Sequence, residues 1–315
     1  MNTNNWKKSL NDFGQQRTPC LFIIDYKGEN GHVFPLSELP SDIQFSFSEE
    51  KKADATPIPI EKHPVAYPEF EKAFNKVHSH LKNGDTELVN LTFATEISPV
   101  SLSEVYQNAF AKYKMLYKDD WVCFSPEIFV KIEDNLIKTY PMKGTISATI
   151  PDAEATLLHN EKEIDEHHKV VRLLSDDLQK VATNVHTTRF RYVDVIKKST
   201  GDLLQTSSEI VGDLPANWQE HLGDLLAAML PAGSIAGAPK EKSVAVIDEA
   251  ETYERGFYTG IAGVFDGKTL DSFVLIRFIE RIGDRYFYKS GAGITAQSQP
   301  LNEYNEIIEK IYIPI

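Results

Sequence analysis

The chain has 315 residues, 42% of them hydrophobic and 25% charged, the composition of an ordinary globular protein large enough for a sizeable core. Its formal net charge of −13 speaks against nucleic acid or an anionic membrane surface as main partner, and an anionic metabolite would have to meet local Arg, Lys or a divalent metal. Two isolated cysteines, no signal-like N-terminus and no apolar run near the roughly 18 residues of a membrane span give the expectation of a cytoplasmic protein with reduced, buried thiols.

Residues 6–13 have the spacing of a short amphipathic helix, and Cys20 to Tyr26 is an apolar run suited to a buried strand. Residues 49–64 mix charge with proline and read as an exposed loop. From Tyr67 to Asn83 the apolar residues recur at helical spacing, with Gly84 where a C-terminal glycine belongs. Asp85 to Ile97 reads as a strand and 103–117 as a helix. Asp152 to Asn184 reads as one or two long helices, Arg189 to Ile196 as a strand and Leu214 to Leu230 as a helix. Ten residues rich in Gly, Ala and Pro, PAGSIAGAPK, lead into a helix ending near Glu254. Strands around 257–266, 271–281 and 285–290 precede GAGIT and a last helix over about 300–311. Strands and helices alternate without a strict βαβ rhythm, so the expected class is α+β, one large domain spanning 1–315 with a large antiparallel sheet.

Ser125 to Thr145, SPEIFVKIEDNLIKTYPMKGT, is the stretch around which the rest is organised. It reads as a hairpin turning at Asp134-Asn135 and ended by Pro141, followed by a tight turn, Met142 to Thr145. Glu127 opens the hairpin and Lys143 closes it, so a carboxyl and an amine can face each other across one cleft, an acid and a nucleophile. The ordinary alternative for a lysine in a turn is a solvated surface charge.

Two carboxylate pairs share the i, i+3 spacing of one helix face: Glu163 with Glu166, and Glu303 with Glu306. Two such helices meeting can offer carboxylates to Mg²⁺, although glutamates also populate solvated faces. Lys310 lies four residues after Glu306 and is equally suited to an ordinary ion pair. Adjacent His167 and His168 point about 100° apart and read as structural. PAGSIAGAPK lacks the Gly-Lys-Ser/Thr of a phosphate loop. Gly291-Ala292-Gly293-Ile294, before a helix, can present backbone N–H groups to a carboxylate. Arg277, inside an apolar strand, calls for an anionic partner.

Taken in order, SPE, PMKGT, KEIDEHHKVVRLLSDDL, LPAGSIAGAPK, RGFYTGIAGVF, LIRFIE and GAGITAQSQPLNEYNEIIEK resemble the chorismate-binding enzymes over about residues 70–312, with a shortened region 1–69 before them. The resemblance implies antiparallel sheets packed as a sandwich with helices outside, as in anthranilate synthase component I. Members that add water carry a lysine where this chain has Leu88. Anthranilate synthases have a small residue where this chain has Lys143, and aminodeoxychorismate synthases have lysine there. The resemblance therefore points to component I of the latter, with ammonia from a separate glutaminase. It implies Mg²⁺ held by Glu166 and Glu306, with Glu163 and Glu303 through water. It implies a substrate-binding set of Thr145, Tyr258, Arg277, Gly291, Ala292, Gly293 and Lys310, with Lys143 adding at C2 and Glu127 as the acid. Gln205 stands where the family often has histidine, so it can donate a hydrogen bond but carry no proton. An Arg-Asn-Asp run becomes Ser175-Asp176-Asp177, a change expected to touch helix packing more than chemistry. The competing expectations are amination at C2, as in anthranilate synthase, and a non-catalytic subunit that docks a glutaminase.

Overall fold

The computed structural model describes residues 5–48, 56–196 and 201–315. The chain opens with helix α1 (Trp6–Gln16) and strands β1 (Cys20–Ile24), β2 (Gly31–Pro35), β3 (Ile43–Ser46) and β4 (Lys62–His63). Helix α2 (Tyr67–Lys82), strand β5 (Leu88–Ile97) and helix α3 (Leu102–Asn108) follow. Next come β6 (Tyr113–Tyr117), β7 (Trp121–Ser125), β8 (Ile128–Glu133), β9 (Leu136–Thr139) and β10 (Met142–Ser147). Helices α4 (Ala153–Leu158) and α5 (Glu161–Gln179) lead to two long strands, β11 (Thr183–Ile196) and β12 (Leu203–Asp213), then α6 (Leu222–Met229). A single turn α7 (Gly233–Ala236), a short strand β13 (Gly237–Ala238) and α8 (Lys240–Ala250) come next. The chain closes with β14 (Ile261–Phe265), β15 (Leu270–Val274), β16 (Phe278–Ile282), β17 (Arg285–Ile294) and α9 (Pro300–Glu309).

Local chemistry explains most of these boundaries. In α2 the buried stripe is Phe70, Ala73, Phe74, Val77 and Leu81, and Gly84 after it takes a φ of 76° that a Cβ would oppose. The N-cap of α5 is Asn160, whose side chain accepts from the Glu163 N–H. Asp134 and Asn135 both adopt positive φ at the turn between β8 and β9, the two-residue geometry that Asp and Asn tolerate.

The strands form two sheets, antiparallel throughout the described residues. The larger runs β10-β12-β9-β8-β15-β14-β1-β2, with β11 on the other edge of β12. The smaller runs β13-β5-β17-β16-β7-β6-β3, with β4 on β5. They pack face to face through Leu21, Ile23 and Phe273 of one and Tyr113, Met115 and Phe278 of the other, where the Tyr113 and Phe273 rings stack at 4.8 Å. Burying each such side chain contributes about 1.5–3 kcal/mol. Helices α1, α5 and α6 cover the outer face of the larger sheet, and α2, α8 and α9 that of the smaller. The sandwich with helices outside is the expected α+β class. Cys20 and Cys123 are buried in it as free thiols. Of the loop expected over 49–64, residues 49–55 lie outside the described residues.

Four expectations need correction. Residues 103–117 are not one helix: α3 stops at Asn108 and β6 begins at Tyr113, a strand buried on both faces whose apolar run mimics helical spacing. Met142 to Thr145 is strand, not turn. Gly291 to Gly293 lies within β17 rather than ahead of a helix. Arg277 is not inside a strand: β15 belongs to the larger sheet and β16 to the smaller, and Arg277 sits where the chain crosses between them, with φ 55°. The Phe124 N–H holds its carbonyl there at 3.1 Å.

Candidate active site

One edge of β12 carries two consecutive segments of the same chain. Leu136–Thr139 pairs with its C-terminal half and Met142–Ser147 with its N-terminal half, in one continuous register as far as Lys143. There the register slips by a residue, and Gly144 is the extra one, a bulge with φ 70°. The Thr206 hydroxyl donates to the Lys143 carbonyl and holds the bulge to β12. The cross-strand ladder between β8 and β9 begins only at Lys131 and Lys138, so the start of β8 and β10 part company. Glu127 follows one branch and Lys143 the other. Pro141 and a bulge thus re-aim a lysine that would otherwise continue a regular strand.

Glu127 is held by its own backbone. Its N–H donates to Ser125 Oγ at 3.1 Å, and its carbonyl accepts from the Val274 N–H at 3.0 Å. Its carboxylate accepts from the Ser234 hydroxyl of α7. Burial raises the Glu127 pKa above its ordinary value, while the Ser234 hydroxyl and then the charges of Lys143 and Lys310 pull it back. Both lysines thus act electrostatically on the same carboxyl.

The floor is β17. Strand β16 stops pairing at Phe278–Lys289, and β17 continues from Ser290 to Ile294 against β5 alone. Opposite Gly291 and Gly293 on β5 stand Thr92 and Asn90. The Thr92 N–H bonds Glu251 and the Asn90 carbonyl accepts from Arg255, both away from β17. In an antiparallel ladder, Gly291 and Gly293 must then turn their own N–H and C=O to the edge that β16 has vacated. The Lys310 Nζ takes the Gly291 carbonyl at 2.9 Å. A Cβ built on Gly293 would stand 3.3 Å from Leu88 Cδ1 and 3.7 Å from Lys143 Nζ. Lys143, Lys310, Leu88 and the glycine strip therefore share one cleft. Ala292, between the glycines, points into the core packed under α9.

Arg277 reaches the same corner, its Nη1 on the Lys310 carbonyl at 2.7 Å and its guanidinium 4.9 Å from the Tyr312 ring centroid. Tyr258 lies behind it, buried between the sheets and packed on Phe278, its phenol pKa pushed up by burial and drawn back by Arg255 and Arg277. Thr145 is exposed just beyond the bulge, directly across from Gln205. Lys143, Lys310 and Arg277 supply the local positive charge that an acidic protein needs to hold an anion.

The candidate metal ligands come from two directions. On α5, Glu166 stands with Oε2 3.6 Å from Lys143 Nζ, and Glu163 covers the bulge, 2.9 Å from where a Cβ on Gly144 would be. On α9, Glu306 pairs with Lys310 at 2.6 Å, and Glu303 is buried. Among the described residues no three His, Cys, Asp or Glu side chains assemble into a metal-binding group. The donors are all carboxylate oxygens, and Glu166 and Glu306 each flank a lysine that leans on the glycine strip. That chemistry fits a hard cation that needs only one or two carboxylates and completes its shell with water and substrate. His167 takes no part: its Nε2 lies 2.7 Å from Ser208 Oγ, and burial, with Arg191, His168 and Lys143, pushes its pKa down to about 4. His168 packs on the Phe190 ring at 4.6 Å.

Sequence reasoning passed over Ser234. Its segment reads as a failed phosphate loop, and nothing in PAGSIAGAPK signals that the serine reaches an acid 107 residues earlier. A family model for chorismate-binding enzymes matches residues 36–315. The chain is 48% identical over 314 residues to the uncharacterized PabA-like protein of Haemophilus influenzae, covering 98% of this chain and 96% of that protein. It is 31% identical over 257 residues to aminodeoxychorismate synthase component 1 of Bacillus subtilis, across 77% of this chain and 54% of that one, so it spans about half the length of that relative. Anthranilate synthase component I from Streptococcus pneumoniae superposes with a TM-score of 0.68 at 28% identity, over 82% of this chain and 60% of the other.

Proposed function

The chain belongs to the chorismate-binding enzymes, and from that premise we propose that it acts as an aminodeoxychorismate synthase component I, converting chorismate and ammonia to 4-amino-4-deoxychorismate. The observation that carries this reading is the pairing at the floor of the cleft, where an amine, Lys143, and a hydrocarbon, Leu88, meet over Gly293. A leucine there can take no proton from water, whereas the amine can form a bond to carbon.

The chain's residues divide the work as follows. Arg277 and Lys310, with the turned-out N–H groups of Gly291 and Gly293, bind the two substrate carboxylates, and Tyr258 backs Arg277. Thr145 and Gln205 line the approach. Lys143 leaves Glu166, gives its ammonium proton to solvent, and adds as the free amine to C2 of the ring. The C4 hydroxyl departs as water with the proton of Glu127, whose raised pKa suits an acid. Ammonia then adds at C4, its surplus proton returns to Glu127, and the C2–N bond to Lys143 breaks to regenerate the free amine, so one hydroxyl is exchanged for one amino group. Glu166 and Glu306, with Glu163 and Glu303 beside them, would hold Mg²⁺, which when bound would supply electrostatic grip on a substrate carboxylate. Ammonia comes from a separate glutaminase or from solution.

The test is product identification by chromatography and mass spectrometry, with pure protein, chorismate, Mg²⁺ and high ammonium. 4-Amino-4-deoxychorismate, lost in Lys143→Ala, is the expected outcome. Anthranilate or isochorismate from the unaltered protein would sink this choice of reaction.

A further inference from the structure

PAGSIAGAPK has no role in the steps just described, yet it is anchored to the fold at several points. The Ile235 carbonyl accepts from Arg255 Nη1 at 2.9 Å and from Asn90 Nδ2 at 3.1 Å. Gly237 and Ala238 pair with Val89 and Leu88 of β5. Lys240 ends the segment in an ion pair with buried Asp177 of α5, at 2.5 Å, and donates to the Met229 carbonyl at 2.8 Å. These anchors tie one turn of helix to β5, α5 and α6, and that turn carries Ser234. Its hydroxyl donates to Glu127 Oε1.

We propose that Ser234 is the positioning residue of the acid Glu127, its hydroxyl fixing which carboxyl oxygen carries the proton delivered to the leaving group. The inference rests on the reaction proposed above. A serine hydroxyl has one proton to give, and it is spent on Oε1. When Glu127 is protonated, the proton resides on Oε2, and Oε1 remains a carbonyl acceptor for Ser234. When Glu127 has given its proton away, the same hydrogen bond becomes charge-assisted and strengthens. Ser234 thus orients the acid before the step and stabilises its anion after it. The charges of Lys143 from β10 and Lys310 from the end of α9 also act on Glu127, and both favour the anion. Neither selects between the oxygens, because an ammonium acts on the carboxylate as a point charge while the Ser234 proton bonds one oxygen.

The experiment compares Ser234→Ala and Ser234→Thr with the unaltered protein, with Glu127→Gln to assign the signal. Glu127 ionisation is followed by carbon NMR of carboxyl-labelled glutamate, and the pH profile of turnover is measured in parallel. The alanine variant is expected to raise the Glu127 pKa by about one unit, the scale of one hydrogen bond to a charged acceptor. Its basic limb of turnover moves up by the same amount, kcat falls about tenfold, and the threonine variant restores all three. Loss of turnover at every pH with an unmoved limb and an unmoved Glu127 titration would overturn the proposal. Should the unaltered protein form no 4-amino-4-deoxychorismate, the reaction assignment fails, while the NMR titration still decides whether Ser234 governs Glu127.

Discussion

Gly144 lies under the carboxylate of Glu163, so that a Cβ on the glycine would stand 2.9 Å from Oε2 and 3.1 Å from Leu157 Cδ1. The bulge that aims Lys143 is therefore in contact with α5 as well as with β12. Gly144→Ala meets two obstacles, the positive φ and the lost space. We expect about 1–2 kcal/mol of lost stability in urea titrations. Turnover should fall by more than the stability loss explains, because Lys143 moves with the bulge. A fully active, fully stable alanine variant would show that the bulge does not position the lysine.

The two glycines of β17 should separate stability from activity. A Cβ on Gly291 would meet Thr92 Cγ2 at 2.5 Å and the Leu91 carbonyl at 2.8 Å, neither able to withdraw without shifting β5. Gly291→Ala is expected to lower stability by about 1–3 kcal/mol, as overpacking does. Among the described residues the methyl of Gly293→Ala has only Leu88 and Lys143 within 4 Å, at 3.3 and 3.7 Å. That variant should melt near the unaltered temperature but bind chorismate weakly, a contrast that calorimetry and ligand titration can check.

Glu127 should cost the fold stability as pH rises. Its pKa is raised in the native state above an ordinary value of 4.5. The native state therefore holds the proton longer than the unfolded chain does. The penalty is absent below the unfolded pKa, grows as pH climbs past it, and levels off above the native pKa. Glu127→Gln should accordingly be more stable than the unaltered protein at pH 8 and no more stable at pH 4, while losing turnover. Parallel denaturant curves at the two pH values would expose the opposite sign if burial is not the dominant influence.

The Asp177–Lys240 pair, with Asp177 buried and Lys240 largely covered, joins α5 to PAGSIAGAPK. Burial pushes the Lys240 pKa down to about 8 even with Asp177 beside it. Asp177→Asn removes the anion and leaves a buried ammonium, a change that costs about 3–5 kcal/mol. Chemical denaturation checks the magnitude. A loss below about 1 kcal/mol would mean that Lys240 finds water instead.

Much of this was legible in the chain. The Asp134-Asn135 turn, the α2 stripe and the helical stretch read over 152–184 follow from local rules, although that stretch divides into α4 and α5 and gives way to β11 at Thr183. The acid and the lysine were legible as flanks of one hairpin. Their separation was not, because it depends on β12, sixty residues away, capturing Met142–Ser147 while β8 goes elsewhere. The Arg277 strand failed for a similar reason: Leu275 and Ile276 are apolar enough to continue β15, but the partner sheet changes there. GAGI was expected to bind through a helix terminus. It presents backbone groups instead because β16 is too short to cover them, a fact recorded in the neighbour and not in the glycines.

Each half of the cleft belongs to a different sheet. Glu127 and Lys143 ride on the larger one, Gly291 to Gly293 and Lys310 on the smaller, and the chain passes directly between the sheets at Arg277. A bound dicarboxylate that touches both sides acts as a rivet through the sandwich. Slow amide exchange should then spread, on ligand binding, from the cleft into the aromatic layer of Tyr113, Phe273 and Phe278, well away from any atom the ligand meets.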